Sequence, residues 1–468
     1  MKETIKYCEL DCISLYQIID KFSNLIFNKF KVSIFKAPTL VSLTFLIYRT
    51  RYLNNKIIPI LDKKLYDVLV KSYFGGHVDC YILESNSNYS VDVIYDLVKE
   101  KLAETLETVK HYDINSLYPS VMKFYQFPTD ILGYFIGDIG LIKNIDDIKF
   151  GIFKVSINCP EEIQHPILPI KKNGRTIYPT GTWTGWYNSL EISNAQKFGY
   201  TFNILEGYIF DTADLFSDFV SDLYSIKQNT PKSDPMYLIS KLLLNSLYGK
   251  FGINPHLLTY KFVPKFIFED KSLGKVSDIY KDWKKIGNFY LAGYEDWSTI
   301  ISNVAIAQAV TAFSRIDMSI FKNNPNFKLY YSDTDSIFID SYLPDEFVSN
   351  TELGKYKLEA EYIKFIALGP KVYGAIDTSG NSYTKIKGFK NKIPLDKLEL
   401  LLNKEQQNLH LNHEKWFKDI NKSEISIKIS PYDLSISYNK RIPVFDNNKF
   451  VNTKPLSLTN GIITSGKN

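Results

Sequence analysis

The stretch Tyr330-Tyr331-Ser332-Asp333-Thr334-Asp335-Ser336-Ile337-Phe338-Ile339 limits the fold more than any other. Two apolar, strand-forming runs flank a short polar turn, which is the pattern of a β-hairpin and so of an antiparallel sheet. Its tip carries two carboxylates. Like charges this close repel and raise at least one carboxyl pKa unless a cation lies beside them. A solvated turn has the same outline. A calcium loop does not, because the glycine and the distal glutamate it needs are missing.

Two further segments carry chemistry. In Tyr112-Asp113-Ile114-Asn115-Ser116-Leu117-Tyr118-Pro119-Ser120, the spacing predicts a strand over 109–112, then a turn into a helix. An aspartate at that strand end faces outward, and the backbone N–H groups after it point at anything anionic nearby. Read alone, it is a helix cap as readily as a ligand. In Lys241-Leu242-Leu243-Leu244-Asn245-Ser246-Leu247-Tyr248-Gly249-Lys250, residues Lys241, Asn245 and Tyr248 share one helical face. The leucines fall largely elsewhere, so the polar face is free to meet a ligand, and Gly249 allows the helix to end or a ligand to come close.

Composition sets the outer limits. The chain has 468 residues, 45% of them hydrophobic, enough for a core spread over two or more domains. Lys plus Arg number 56 against 51 Asp plus Glu, a mild excess that permits a polyanionic partner without requiring one. The basic end (Lys440, Arg441, Lys449, Lys454 and Lys467 against Asp446) could follow a phosphate backbone or simply be solvated. Cys8, Cys12, Cys80 and Cys159 form neither a disulfide framework nor a zinc spacing, and read as thiols of a reducing compartment. Met1–Asp11 lacks the apolar run of a signal peptide, and Ala37–Tyr48 is too short to span a bilayer. The expectation is a soluble monomer with no membrane partner. The abundance of Lys, Asn, Ile, Phe and Tyr, with their AT-rich codons, suggests an organelle, an extrachromosomal element or a virus.

Short strands alternate with helices, which predicts an α+β chain. Leu10–Ile26 reads as a helix, Phe150–Ile157 as a strand ended by Cys159-Pro160, Thr180–Gly185 as a turn, and Leu190–Phe198 as a helix. Ile306, Val310, Phe313, Ile316 and Ile320 form a helical stripe. Asn323–Asn326 breaks the chain before a strand over 328–331. Asn254–Asp296 has weak periodicity and reads as an insertion.

Taken in order, Asp-x-x-Ser-Leu-Tyr-Pro-Ser, Lys-x-x-x-Asn-Ser-x-Tyr-Gly and Asp-Thr-Asp-Ser resemble the signature of family-B DNA polymerases. Tyr73-Phe74-Gly75-Gly76 resembles that family's template-holding motif. Lys371-Val372-Tyr373 resembles the motif that steadies the primer end. Lys227 matches a basic residue that contacts triphosphate, and Gly388 matches a Lys-Gly turn. The resemblance implies a right-hand fold: a palm with an antiparallel sheet, helical fingers and a thumb. Asp113, Asp333 and Asp335 would be catalytic. Asp113, Asp335 and the Ile114 carbonyl would hold two Mg²⁺ ions, for which Mn²⁺ substitutes. Ile114, Ser116, Leu117, Tyr118, Lys227, Lys241, Asn245 and Tyr248 would bind the nucleotide, with Tyr118 under the sugar and Tyr248 on the nascent pair. Tyr73, Gly75, Gly76, Lys371 and Tyr373 would bind DNA. The implied partners are primer-template DNA and deoxynucleoside triphosphates.

Asp113 precedes Lys241 by 128 residues and Asn245 precedes Asp333 by 88, leaving room for two inserted segments. These resemble the terminal-protein regions of the protein-primed branch, found in certain phages and linear plasmids, so a priming protein is a further expected partner. The implied layout is 1–60 exonuclease remnant, 61–124 palm, 125–214 first insertion, 215–252 fingers, 253–296 second insertion, 297–398 palm, and 399–468 thumb and tail. Tyr7-Cys8-Glu9-Leu10-Asp11 resembles the third exonuclease motif without the two that should precede it, so proofreading is not expected of this chain. The plasmid resemblance suggests synthesis and residence inside a mitochondrion, with the cytoplasm as the alternative. A catalytically inactive nucleic-acid-binding remnant is the alternative function, and another metal-dependent phosphotransfer enzyme, such as a nuclease, is a further one.

Overall fold

The structure is a computed structural model that describes residues 2–141, 143–270, 275–295, 302–419, 424–446 and 449–464. The chain forms two compact units, one of Met1–Tyr73, Gln126–Asp130 and Phe210–Val310, the other of Phe74–Tyr125, Ile131–Ile209 and Thr311–Asn468. Parts of the expected second insertion (271–274 and 296), the first residues of the following palm segment (297–301) and Lys467 lie outside the described residues.

In the first unit, the helices Leu40–Arg51, Ser217–Asn229 and Pro235–Phe251 pack around Tyr48, whose ring meets Phe216, Phe219 and Phe251 and whose hydroxyl donates to the Leu215 carbonyl. The predicted Leu10–Ile26 helix extends over Lys2–Phe30. Gly249 does not end its helix: the run continues to Phe251 and Gly252 caps it. Leu258–Pro264, Asp282–Ile286 and Phe289–Glu295 form a three-stranded antiparallel sheet over a small core of Val263, Phe268, Tyr280 and Ala292. The weak periodicity there hides regular strands, because most of their side chains face outward and alternation marks a strand only where one face is buried.

The second unit is built on a seven-stranded sheet: β1 (Val78–Cys80), β2 (Val109–Ile114), β3 (Leu329–Asp333), β4 (Ser336–Ile339), β5 (Tyr356–Gly369), β6 (Val372–Asp377) and β7 (Ser382–Ile386), in the spatial order β1-β3-β4-β2-β5-β6-β7. Apolar residues of β3 to β6 interdigitate with Ile94, Leu395, Leu398 and Leu402 of two covering helices. The predicted hairpin is β3–β4, paired Asp333 to Ser336 and Ser332 to Ile337.

Thr180–Gly185 is not a turn. It opens the strand Thr180–Asn188, which pairs with Phe150–Cys159 and buries Trp183 and Tyr187. Gly181 is in the left-handed region at φ +85°, and a side chain there would meet the Leu458 carbonyl of the strand Ser457–Thr459, which pairs with it in parallel. Gly181 thus answers to that close approach, and Gly185 to the Tyr187 ring, which a side chain there would meet. The carboxyl-terminal segment is therefore part of the fold. Arg441 is buried, donates to the Gln164 and Thr453 carbonyls and to the Thr453 hydroxyl, and lies over the Tyr81 ring. Lys440 donates to the Val78 carbonyl. These two cations serve packing, and the expectation of a free basic tail is corrected for them.

The apolar stripe lies on the helix Val304–Met318, where Ile306, Val310 and Phe313 are fully buried, while Ile316 is half-buried and Ile320 falls in the following 3-10 turn, exposed. By length and composition Val304–Phe321 is apolar enough to cross a membrane, but 83% of it is buried inside the protein, as in a core helix.

Candidate active site

Sheet register brings the aspartates of the second unit together. Asp113, on β2, lies opposite Ser336 of β4, and the Ile114 amide donates to the Asp335 carbonyl at 2.9 Å. Burial, followed by the neighbouring Asp335 and Glu359, pushes the Asp113 carboxyl up to about 7, against the pull of Lys357 and Lys385. Burial also raises Asp335, with Asp333 adding to it. Asp333 faces another way. Its two carboxylate oxygens accept from Lys371 Nζ at 2.6 and 2.8 Å, and it also meets the hydroxyls of Tyr331 and Thr334. Among the described residues no three His, Cys, Asp or Glu side chains converge on one point. A cation would thus find two repelling carboxylates and backbone oxygen, a donor set suited to a hard divalent ion such as Mg²⁺ or Mn²⁺.

Thr334, between the two hairpin aspartates, is left-handed at φ +59°, and its amide donates to the His77 carbonyl at 2.9 Å. A Cβ on Gly76 would fall 2.7 Å from the Thr334 side chain, so only glycine leaves room for the turn. Gly75 is exposed, with open space around it. Tyr73 belongs to the first unit, half-buried. Past β2, Asn115 donates to the Ser349 and Glu352 carbonyls, and Ser116, at φ +59°, leads into the helix Leu117–Phe124. Leu117 is buried there and Tyr118 half-buried.

Lys371 is also left-handed, and its amide donates to the Tyr331 hydroxyl. The ring of Tyr373 is in the core, 6% exposed and against Tyr331 and Phe338, so the motif presents its lysine and buries its tyrosine.

The first unit gathers the other expected group. Lys241 and Asn245 are exposed and Tyr248 half-buried along the helix Pro235–Phe251, whose Leu243, Leu244 and Leu247 are buried. Lys227, on the packed helix Ser217–Asn229, has its amino pKa lowered by burial and then by Lys241. Two mutually repelling ammonium groups suit a polyanion.

Four residues escaped the sequence reading. Arg315, buried in the apolar helix, forms an ion pair with Glu191 and donates to the Phe74 and Gly75 carbonyls. His77, Asp79 and Lys322 form a buried cluster under the hairpin. An arginine amid an apolar stripe was a visible signal for the first; the other three carry none in sequence.

A profile of the family described as DNA polymerase type B, organellar and viral, matches residues 1–327. A probable DNA polymerase of Neurospora intermedia is 36% identical over 446 residues, 91% of this chain and 43% of that protein. One of Ascobolus immersus is 34% identical over 484 residues, 99% of this chain and 37% of that protein. The chain thus spans less than half the length of these curated relatives. Among solved structures, phi29 DNA polymerase complexed with primer-template DNA and incoming nucleotide superposes with a TM-score of 0.60 at 18% identity, covering 86% of this chain and 69% of that one. The family profile and two relatives above 30% identity show the family, and the chain belongs to the type B DNA polymerases of the organellar and viral kind.

Proposed function

We propose that this chain is the polymerising part of a DNA-directed DNA polymerase that copies a linear plasmid or similar extrachromosomal DNA from a protein primer. The observation that carries the reading is the pairing of β2 with the hairpin, which sets Asp113 opposite Ser336, next to Asp335, where burial and then Asp335 raise the Asp113 carboxyl. The second unit then holds the thumb and most of the palm and of the first insertion, and the first unit holds residues 1–60, the fingers, the second insertion and the remaining palm residues.

Asp113, Asp335 and the Ile114 carbonyl would hold two Mg²⁺ ions. When bound, these supply a primer 3′-hydroxyl of lowered pKa and positive charge for the departing pyrophosphate. The chain's own groups do the rest. Lys227 and Lys241 neutralise the triphosphate as charge builds in the transition state. Asn245 and the Ser116–Leu117 backbone orient it. Tyr118 lies under the sugar and rejects a 2′-hydroxyl, and Tyr248 bears on the nascent pair. Gly75, Gly76 and Tyr73 hold template, and Lys371, its amide held on the Tyr331 hydroxyl, holds the primer end with Tyr373 of the same motif packed beneath. The two inserted segments, with the organellar and viral family and its fungal relatives, support a mitochondrial residence and a terminal protein as partner.

Primer extension on a primed single-stranded template, with Mg²⁺ and four deoxynucleotides, tests this. Wild type should extend and Asp335→Ala should not. A folded wild type that binds template but extends nothing in Mg²⁺ or Mn²⁺ would overturn the reading in favour of an inactive binding remnant.

A further inference from the structure

β1 is only three residues long and lies at the edge of its sheet, yet it aligns the hairpin, with Val78 opposite Asp333 and Asp79 opposite Ser332. The next link is the bond from the Thr334 amide to the His77 carbonyl. Thr334 is β-branched and left-handed, a conformation that persists only where the surroundings enforce it. Those surroundings are charged and buried. His77, Asp79 and Lys322 are 4%, 1% and 4% exposed. His77 Nε2 is 2.7 Å from Asp79 Oδ2, and Nδ1 meets the Lys322 ammonium. Tyr178 stacks on the imidazole with ring centres 3.3 Å apart, and Lys440 Nζ holds the Val78 carbonyl at 2.9 Å.

The hydrogens in this line follow from its ends. Against burial, the His77 bond lowers the Asp79 carboxyl pKa, and a carboxylate can only accept, so Nε2 carries the ring proton and donates it to Asp79; Nδ1 then accepts an N–H from Lys322, whose own pKa burial lowers to about 7. The ring is neutral, since burial and then Lys322 hold its pKa well below the ordinary histidine value. One ring is thereby fixed at both nitrogens and on one face, and its backbone carbonyl with it.

We propose that Lys322, His77 and Asp79 are positioning residues for nucleotidyl transfer, fixing the His77 carbonyl against the Thr334 amide so that Asp335 stays in line with Asp113. They act through the backbone of the turn. The proposal rests on the polymerase reading above, and goes beyond it by assigning a role to three residues outside the polymerase motifs.

Removing one partner of a buried ion pair also destabilises the fold, so the test must separate the two roles. Lys322→Met and Asp79→Asn are compared with wild type by steady-state extension, magnesium titration and amide exchange. The second variant keeps the side-chain volume, and so tests the line even should the first fail to fold. Expected are a kcat lowered about tenfold or more, a nucleotide KM and template affinity within about twofold, and a half-saturating magnesium concentration raised about threefold. Amide exchange over 331–337 should quicken about tenfold while that over 372–377 is unchanged. Wild-type kcat and magnesium dependence in a folded variant, or exchange that quickens uniformly across the sheet, would overturn the proposal. Failure of wild type to extend would instead count against the polymerase reading, and the exchange measurement would still decide whether this cluster holds the hairpin.

Discussion

Lys371 Nζ lies within 2.8 Å of both carboxylate oxygens of Asp333, so the first aspartate of the hairpin is already paired by the protein's own cation, whereas burial and then Asp335 raise the Asp113 carboxyl. The division of labour among three aspartates follows from that pairing. Lys371 is half exposed, and exposed pairs contribute about 1 kcal/mol or less. Lys371→Met should therefore move the melting temperature by only a few degrees, roughly within the effect of 1 kcal/mol. Extension from a primer end should drop about tenfold or more, measured as kcat/KM for primer-template.

The raised carboxyl gives a pH prediction in chelator. The folded Asp113 pKa is about 7, above its ordinary value near 4. A raised carboxyl pKa favours the folded state at low pH, and that benefit is lost as pH rises from about 4 through 7. Metal-free wild type should lose melting temperature across that window, and Asp113→Asn should show a shallower loss. Magnesium added at pH 7.5 should raise the wild-type value and leave Asp113→Asn nearly unmoved. Equal pH slopes for the two proteins would contradict the assignment.

Neighbouring glycines should behave differently. A methyl on Gly76 meets Thr334 at 2.7 Å, whereas one on Gly75 meets nothing within 4 Å. Gly76→Ala should displace the hairpin turn and lower kcat by about tenfold or more. Gly75→Ala should leave melting and the magnesium requirement unchanged, and any loss it shows should fall on template affinity.

The Lys227–Lys241 pair predicts polyanion binding without catalysis. Inorganic tripolyphosphate should raise the melting temperature of wild type, with the gain lost in Lys241→Met and reduced by salt. Lys227→Met should raise the nucleotide KM about tenfold while changing stability little, since relief of the repulsion by Lys241 offsets loss of its contact with the Tyr224 ring.

Much of this was legible from the chain. The hairpin at Asp333–Asp335, the strand before Asp113 and the shared face of Lys241, Asn245 and Tyr248 are all local, set by the alternation of apolar residues and by helical spacing. Thr180–Gly185 has the composition of a turn yet forms a strand, because Gly181 answers to Leu458, a residue distant in sequence. Lys440 and Arg441 read as tail charges for the same reason: their partners at Val78, Gln164 and Tyr81 are supplied from far along the chain.

The sequence by itself determined the chemistry available: which carboxylates, lysines and glycines stand at which local positions. Residue type and short-range periodicity suffice for that. Tertiary structure alone decided which carboxyl is raised, which one Lys371 neutralises, and that His77, Asp79 and Lys322 lie beneath the turn. Register across non-adjacent strands and burial of charge depend on long-range pairing, and no local pattern encodes the partner.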